Sequence, residues 1–190
     1  RIEALPAIDP NRPFIFASLG TLQGHRFHLF KRIAKACRQL DAQLLIAHCG
    51  GLDARQAAAL ETIGATRVCA FAPQEAALAR ADAVVSHAGL NTVMDAVAAN
   101  TPILALPIAF DQPGVAARIR HVGVGLSASP RFASATHLAQ QLRRLLEEPG
   151  FKGRCAWLAD SVRQAGGSAR AASIVEAALN IDARSPVHLD

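Results

Sequence analysis

"DAVVSHAGLNTVMDAVAANTPILALP", residues 82–107, decides the fold. A short apolar run ("DAVVSHAG") leads into a helical segment ("LNTVMDAVAAN") and then into a second apolar run ("TPILALP"). Apolar runs this short, separated by a helix, read as buried strands of a parallel sheet with helices on both faces.

The same unit repeats outward in both directions. Upstream, "RPFIFASLGT" is a buried strand ending on Ser18, Gly20 and Thr21. From His25 to Leu40, Phe27, Phe30, Ile33, Ala34 and Cys37 recur at three- and four-residue spacing, the mark of an amphipathic helix. "AQLLIAHCGG" is a second strand. "DARQAAALETIG" is a helix with Asp53 as N-cap and Gly64 as its stop. "TRVCAFAP" is a third strand, followed by a short helix, "QEAALARA". Downstream, "DQPGVAARIRHVG" is a helix and "VGVGLSA" a last strand. Beyond Pro130 only helices follow, over Thr136–Glu148, Phe151–Ala165 and Ala169–Leu179, and the tail "IDARSPVHLD" is expected to fray. The expected fold is α/β: a Rossmann-like parallel sheet of about six strands with helices on both faces, then C-terminal helices.

Composition narrows the function. With 51% hydrophobic and 18% charged residues, the 190-residue chain suits one globular domain. The apolar stretch from Thr101 to Phe110 is too short to span a membrane and carries two prolines. No secretory signal is visible at "RIEALPAIDP", and the start on Arg1 rather than Met suggests a fragment of something longer. The net charge of +5 comes from basic residues scattered along helical patterns, which read as solvated faces. With no Tyr and no aromatic interleaving, nucleic-acid binding is not expected. Cys37, Cys49, Cys69 and Cys155 show no CxxC spacing and read as buried thiols in a reducing, cytoplasmic setting. No GxGxxG follows the first strand, and no Walker A lysine motif, GxSxG elbow or metal-binding aspartate pair is present. Neither a cofactor nor a metal is expected.

Every unusual polar cluster follows a strand: "SLGT", "HCGG", "AFAPQ", "SHAGLNT" and "PIAFDQ". In a parallel sheet these converge on the edge where ligands bind. If a helix starts near Gly89, its first amides lack partners and favour an anion, most often a phosphate. Gly89 permits close approach, Asn91 and Thr92 add donors, and His87 lies just before them. Equally, Asn91 or Thr92 could be a mere helix cap and His87 a satisfied loop histidine. Asp95 could accept from ribose hydroxyls or simply oppose the helix dipole. Asp111 and Gln112 could grip sugar hydroxyls, or Asp111 could cap the next helix. Phe71 could stack on a base or sit in the core.

Taken together, "FAPQ…L…SHAGLNTVMDA…TPILALPIAFDQ" resembles the donor-sugar signature of the family 1 UDP-glycosyltransferases, enzymes of the GT-B fold. The likeness covers nearly the whole chain, as the C-terminal half of that fold. "SLGTLQGHRFHLFKRIAKAC", "LLIAHCGG" and "LALPIAFDQPGVAARI" are most similar to the bacterial branch that glucosylates zeaxanthin in carotenoid biosynthesis. The resemblance implies an inverting transfer of glucose from UDP-glucose to a hydroxyl of a lipophilic acceptor. It implies Phe71 against uracil, Gln74 at the nucleoside, and Thr21, His87, Gly89, Asn91 and Thr92 at the diphosphate. Asp95 falls to the ribose, and Asp111 with Gln112 to the sugar. Phe71 stands where plant members often carry Trp, and Asp95 where they often carry Glu.

In this family the catalytic base and acceptor pocket lie in an N-terminal domain, and no residue here matches them. The implied organisation is a linker over residues 1–12 from a missing N-terminal domain, a donor-binding domain over 13–181 and a tail over 182–190. The fragment alone is expected to bind UDP-sugar without transferring it, and the whole enzyme to touch the bilayer peripherally. Two alternatives stay open: a GT-B domain for another donor such as UDP-N-acetylglucosamine, and a non-catalytic nucleotide-binding scaffold.

Overall fold

The computed structural model describes residues 4–179. Six strands form one sheet: β1 (Phe14–Ser18), β2 (Gln43–Ala47), β3 (Arg67–Cys69), β4 (Ala83–Ser86), β5 (Ile103–Ala105) and β6 (Gly125–Ser127). Their order across the sheet is β3-β2-β1-β4-β5-β6, and every pair is parallel. The order reverses direction between β1 and β4, where Ile15 faces Ala83 and Ser18 faces Ser86. A parallel pair cannot be joined by a hairpin, so a helix crosses between successive strands.

Those crossovers are α1 (Phe27–Gln39), α2 (Ala54–Ile63), α3 (Gln74–Arg80), α4 (Leu90–Ala98) and α5 (Gln112–Val122), and α6 (Ala135–Glu147), α7 (Gly150–Gln164) and α8 (Gly167–Ala178) follow β6. The two-residue period of a strand divides the core into two layers. Ile15, Ala17, Leu44, Ile46, Ala83, Val85 and Leu104 face the layer closed by α1, α2 and α6. Phe14, Phe16, Leu45, Ala47, Val84, Ile103 and Ala105 face the layer closed by α3, α4, α5 and α7. Burial on both faces is why these strands read as unbroken apolar runs; each fully buried Phe or Leu contributes about 2 kcal/mol.

The expected elements are all present, with shifted ends. The first helix starts at Phe27 rather than His25, with Arg26 at its N-cap and no side-chain cap. The third strand stops at Cys69, so "AFAP" lies beyond it as connecting chain. Asp53 caps α2 as expected: its carboxylate accepts from the Gln56 amide while Gln56 accepts from the Asp53 amide, and Gly64 ends the helix. Residues 1–3 of the expected linker and the whole expected tail lie outside the described residues.

One expectation is corrected. Cys37, Cys69 and Cys155 are buried, but Cys49 is only half-buried and takes a left-handed backbone, φ 52°. It follows β2 at the sheet's carboxyl edge, where connecting chain is less enclosed than the strand before it.

Candidate functional site

At the carboxyl ends of β1 and β4, where the strand order reverses, a polar cavity of about 380 Å³ opens. This is the place where open α/β sheets bind ligands. Ser18, Gly20 and Thr21 line it after β1, Cys49 after β2 and Gln74 after β3, while His87, Gly89, Leu90, Asn91 and Thr92 line it from the β4–α4 turn and the first turn of α4. Of the ten residues expected at a site, Thr21, Gln74, His87, Gly89, Asn91 and Thr92 meet here.

The β4–α4 turn explains why. Ser86 is fully buried at the end of β4, and its hydroxyl accepts from the Ala88 amide. That bond accompanies a left-handed Ala88, φ 68°, which turns the chain from strand to helix within three residues. Gly89 is then the N-cap of α4, with no side-chain cap and no acidic residue in the first turn. Val93 is the first residue to bond back into the turn, to the Gly89 carbonyl. Neither Asn91 nor Thr92 caps the helix, so the capping alternative for this stretch is not realised. An uncapped N-terminus presents free amides and the positive end of the helix dipole.

His87 stands against that helix end, held between two glycines. A Cβ on Gly20 would lie 2.7 Å from the imidazole Cε1 and Nε2, and one on Gly89 would lie 2.5 Å from Nε2. Gly20 also has φ +74°, where any Cβ is strained. The His87 Nδ1 is buried without a hydrogen-bond partner among the described residues. Burial lowers the His87 pKa; the Asp111 carboxylate and the Ser18 backbone pull the other way. A half-buried, mainly neutral imidazole beside free amides suits a dense anion that can both accept hydrogen bonds and favour a charged ring.

A second group of expected residues forms a network on α3 and α4. The Gln74 Nε2 donates to the Asp95 carboxylate at 2.7 Å, and the Thr92 hydroxyl lies 3.5 Å from the Gln74 Oε1. Asp95 sits one turn into α4, half-buried behind Gln74 and not among the residues that line the cavity. Phe71 is 41% exposed on the chain between β3 and α3, so it is not a core phenylalanine.

The last two residues differ from each other. Asp111 is exposed at the start of α5, makes no cap and acts electrostatically on His87. Gln112 is 4% exposed and turned inward, its Oε1 accepting from the Ile108 and Ala109 amides at 2.8 and 2.9 Å. It braces the β5–α5 loop, and that loop carries Asp111. Ser18 and Cys49 line the cavity without having been singled out for it. They belong to "SLGT" and "HCGG", whose position after strands was the available signal. Burial pushes the Cys49 thiol up, and a hydrogen bond with the Ser18 side chain pulls the other way.

A larger groove of about 520 Å³ runs between α4 and α5, but its walls are mostly apolar, among them Val93, Val97, Ile119 and Leu158. The two linings share Leu90, and Asp111 lines the groove rather than the polar cavity. Convergent donors make the smaller cavity the candidate ligand site. Among the described residues no cluster of three His, Cys, Asp or Glu side chains is placed to hold a metal ion.

Comparison with known proteins gives concordant matches. Residues 9–163 match the family described as UDP-glucoronosyl and UDP-glucosyl transferase. The chain is 52% identical over 165 residues to a zeaxanthin glucosyltransferase of Pantoea ananas, covering 87% of this chain and 38% of that protein. It is 48% identical over 167 residues to a zeaxanthin glucosyltransferase of Pseudescherichia vulneris, covering 88% and 40%. It thus spans about two-fifths of the length of these curated relatives. Among solved structures, the calicheamicin glycosyltransferase CalG4 superposes with a TM-score of 0.81 at 25% identity, covering 96% of this chain and 45% of that one. The glycosyltransferase VinC in complex with dTDP gives 0.66 at 27%, covering 80% and 37%.

Proposed function

Since the chain belongs to the UDP-glucoronosyl and UDP-glucosyl transferase family, we propose that it is the donor-binding domain of an inverting glucosyltransferase that uses UDP-glucose. The observation that carries this reading is the uncapped N-terminus of α4 with His87 fixed against it. Relatives that share about half of its residues are zeaxanthin glucosyltransferases, which favours a carotenoid hydroxyl as acceptor. VinC, a more distant relative, holds the nucleoside diphosphate dTDP.

In this reading the α4 amides, Asn91, Thr92 and His87 hold the diphosphate, with Thr21 from the β1–α1 loop. Phe71 offers a face to uracil. Asp95, oriented by Gln74, accepts from the ribose hydroxyls, and Asp111 accepts from the glucose. Gln112 acts through the loop that positions Asp111. When the acceptor oxygen attacks the anomeric carbon, the bond to UDP breaks and negative charge gathers on the diphosphate. Fixed amides and the imidazole stabilise that charge as it develops, which is electrostatic catalysis without a metal. The base that takes the acceptor proton, and the acceptor pocket, belong to a preceding domain joined through residues 1–12, and the whole enzyme works on the cytoplasmic side.

Calorimetric titration of this chain with UDP and with UDP-glucose tests the reading. Saturable binding is expected, and His87→Ala is expected to weaken it about 10- to 100-fold, the loss of a hydrogen bond to a charged group. A folded chain that binds neither ligand would instead favour a degenerate scaffold.

A further inference from the structure

We propose that the outer face of α1, with the loops flanking its N-terminus, is a contact surface for an anionic phospholipid bilayer. From Leu19 to Leu40 the sequence contains no Asp or Glu, while it carries five Lys and Arg residues. Folding sorts them. The helix buries Leu29, Phe30, Ile33 and Ala34 against the sheet and α6. His28, Arg32 and Lys35 are spaced four and three residues apart, which puts them one above another on the other face, with Lys31 beside them. Among the described residues neither Lys31 nor Lys35 has a carboxylate partner; nor does Arg131, on the neighbouring loop.

That loop is tied to the helix. The Arg32 guanidinium donates to the carbonyls of Pro130, Arg131 and Ala133. The loop so held projects Phe132, 78% exposed, with the Arg131 guanidinium 5.3 Å from its ring centroid. On the turn entering α1, Leu22 is 69% exposed. An exposed large apolar side chain thus stands on each of two segments adjoining α1, Leu22 on the turn before it and Phe132 on the loop held by Arg32.

Charge complementarity and the apolar pair together select the occupant. Lipid phosphates answer the Lys and Arg side chains, and the acyl boundary takes Leu22 and Phe132. A nucleic acid would meet the charges but leave Leu22 without a counterpart. No helix among the described residues is long and apolar enough to cross a bilayer, and the proposal is one of surface contact. Its purpose rests on the lipophilic-acceptor reading above, since an acceptor dissolved in a membrane must be met there.

Co-sedimentation of this chain with phosphatidylcholine vesicles, with and without phosphatidylglycerol, tests the surface. Binding is expected only with phosphatidylglycerol and should weaken with salt. K31E/K35E is expected to lower the partition coefficient about tenfold or more, and L22S/F132S about tenfold. R118E/R120E reverses the same number of charges at exposed positions on α5. It should leave partitioning within about twofold. Equal loss in that control, or no vesicle binding at all, would overturn the proposal. So would transfer RNA binding that K31E/K35E abolishes, alongside lipid binding that ignores L22S/F132S. UDP titration of the same samples separates the two readings: a chain that binds UDP but no vesicle sinks only the membrane surface.

Discussion

Helices α2 and α4 occupy equivalent places, each leaving the carboxyl edge of the same parallel sheet, yet their N-termini are finished in opposite ways. At α2, Asp53 and Gln56 close the end reciprocally, each side chain accepting from the other's amide. At α4, a glycine stands at the cap position and no side chain among the described residues caps the first turn. One end is closed by side chains; in the proposed reading the other takes the diphosphate. The contrast also shows that a polar residue near a helix start cannot be assigned by type: Asp53 caps, whereas Asp111, at the N-cap of α5, does not.

The strongest way to break the comparison is to finish α4 as α2 is finished. Gly89→Asp would set a carboxylate among the α4 amides and push its Cβ into the His87 ring. Like charges about 4 Å apart repel by about 4 kcal/mol at a protein surface. UDP affinity should therefore fall about 100-fold or more by calorimetry, and undiminished affinity would mean that the diphosphate lies elsewhere. A smaller effect should come from the other wall of the imidazole slot. Gly20→Ala adds both left-handed strain and a clash with His87, whereas Gly50, with a similar φ of +79°, has nothing within 4 Å. Both variants should lose about 1 kcal/mol of stability to backbone strain; only Gly20→Ala should also lose UDP affinity, by about tenfold. Asp53→Ala is the reciprocal test. It should cost about 1 kcal/mol in urea unfolding and leave UDP binding unchanged.

The smallest effect concerns pH. Burial holds the His87 pKa below its ordinary 6.5 in the folded protein. The unfolded chain therefore takes up this proton first as pH falls. The contribution of the neutral ring is whole above about pH 6.5 and is lost as pH drops through the lower folded-state value. Thermal melts between pH 7 and pH 5 should decline more steeply for the wild type than for His87→Asn, and parallel curves would show that the ring does not titrate with folding.

The fold was legible because its determinants are local. Short apolar runs such as Leu44–Ile46 and Val84–Val85, bounded by turn residues, read as strands covered on both sides, and Asp53 with Gly64 bounds its helix by cap chemistry. The convergence of five polar clusters followed from parallelism. What the sequence hid depends on where a side chain is sent in three dimensions. Gln112 stands beside Asp111 in the chain, yet two unpaired loop amides draw its carbonyl inward. Cys49 follows an apolar strand and reads as buried, yet its backbone turns it into the cavity rim. The third strand reads longer in sequence than it is because Phe71–Pro73 continues its apolar character beyond the last bond to the neighbouring chain, from the Cys49 amide to the Ala70 carbonyl.

The slot around His87 has a thermodynamic consequence. An imidazole flanked at contact distance by two backbones has little rotational freedom left before any ligand arrives. Freezing a mobile side chain on binding typically costs about 0.5–1.5 kcal/mol. Here that entropy is surrendered during folding, so Gly20 and Gly89 act as rigidifying elements for a recognition event in which neither side chain takes part. A substitution at either glycine would displace the ring from that slot, so binding would lose both the pre-set orientation and the contacts that depend on it.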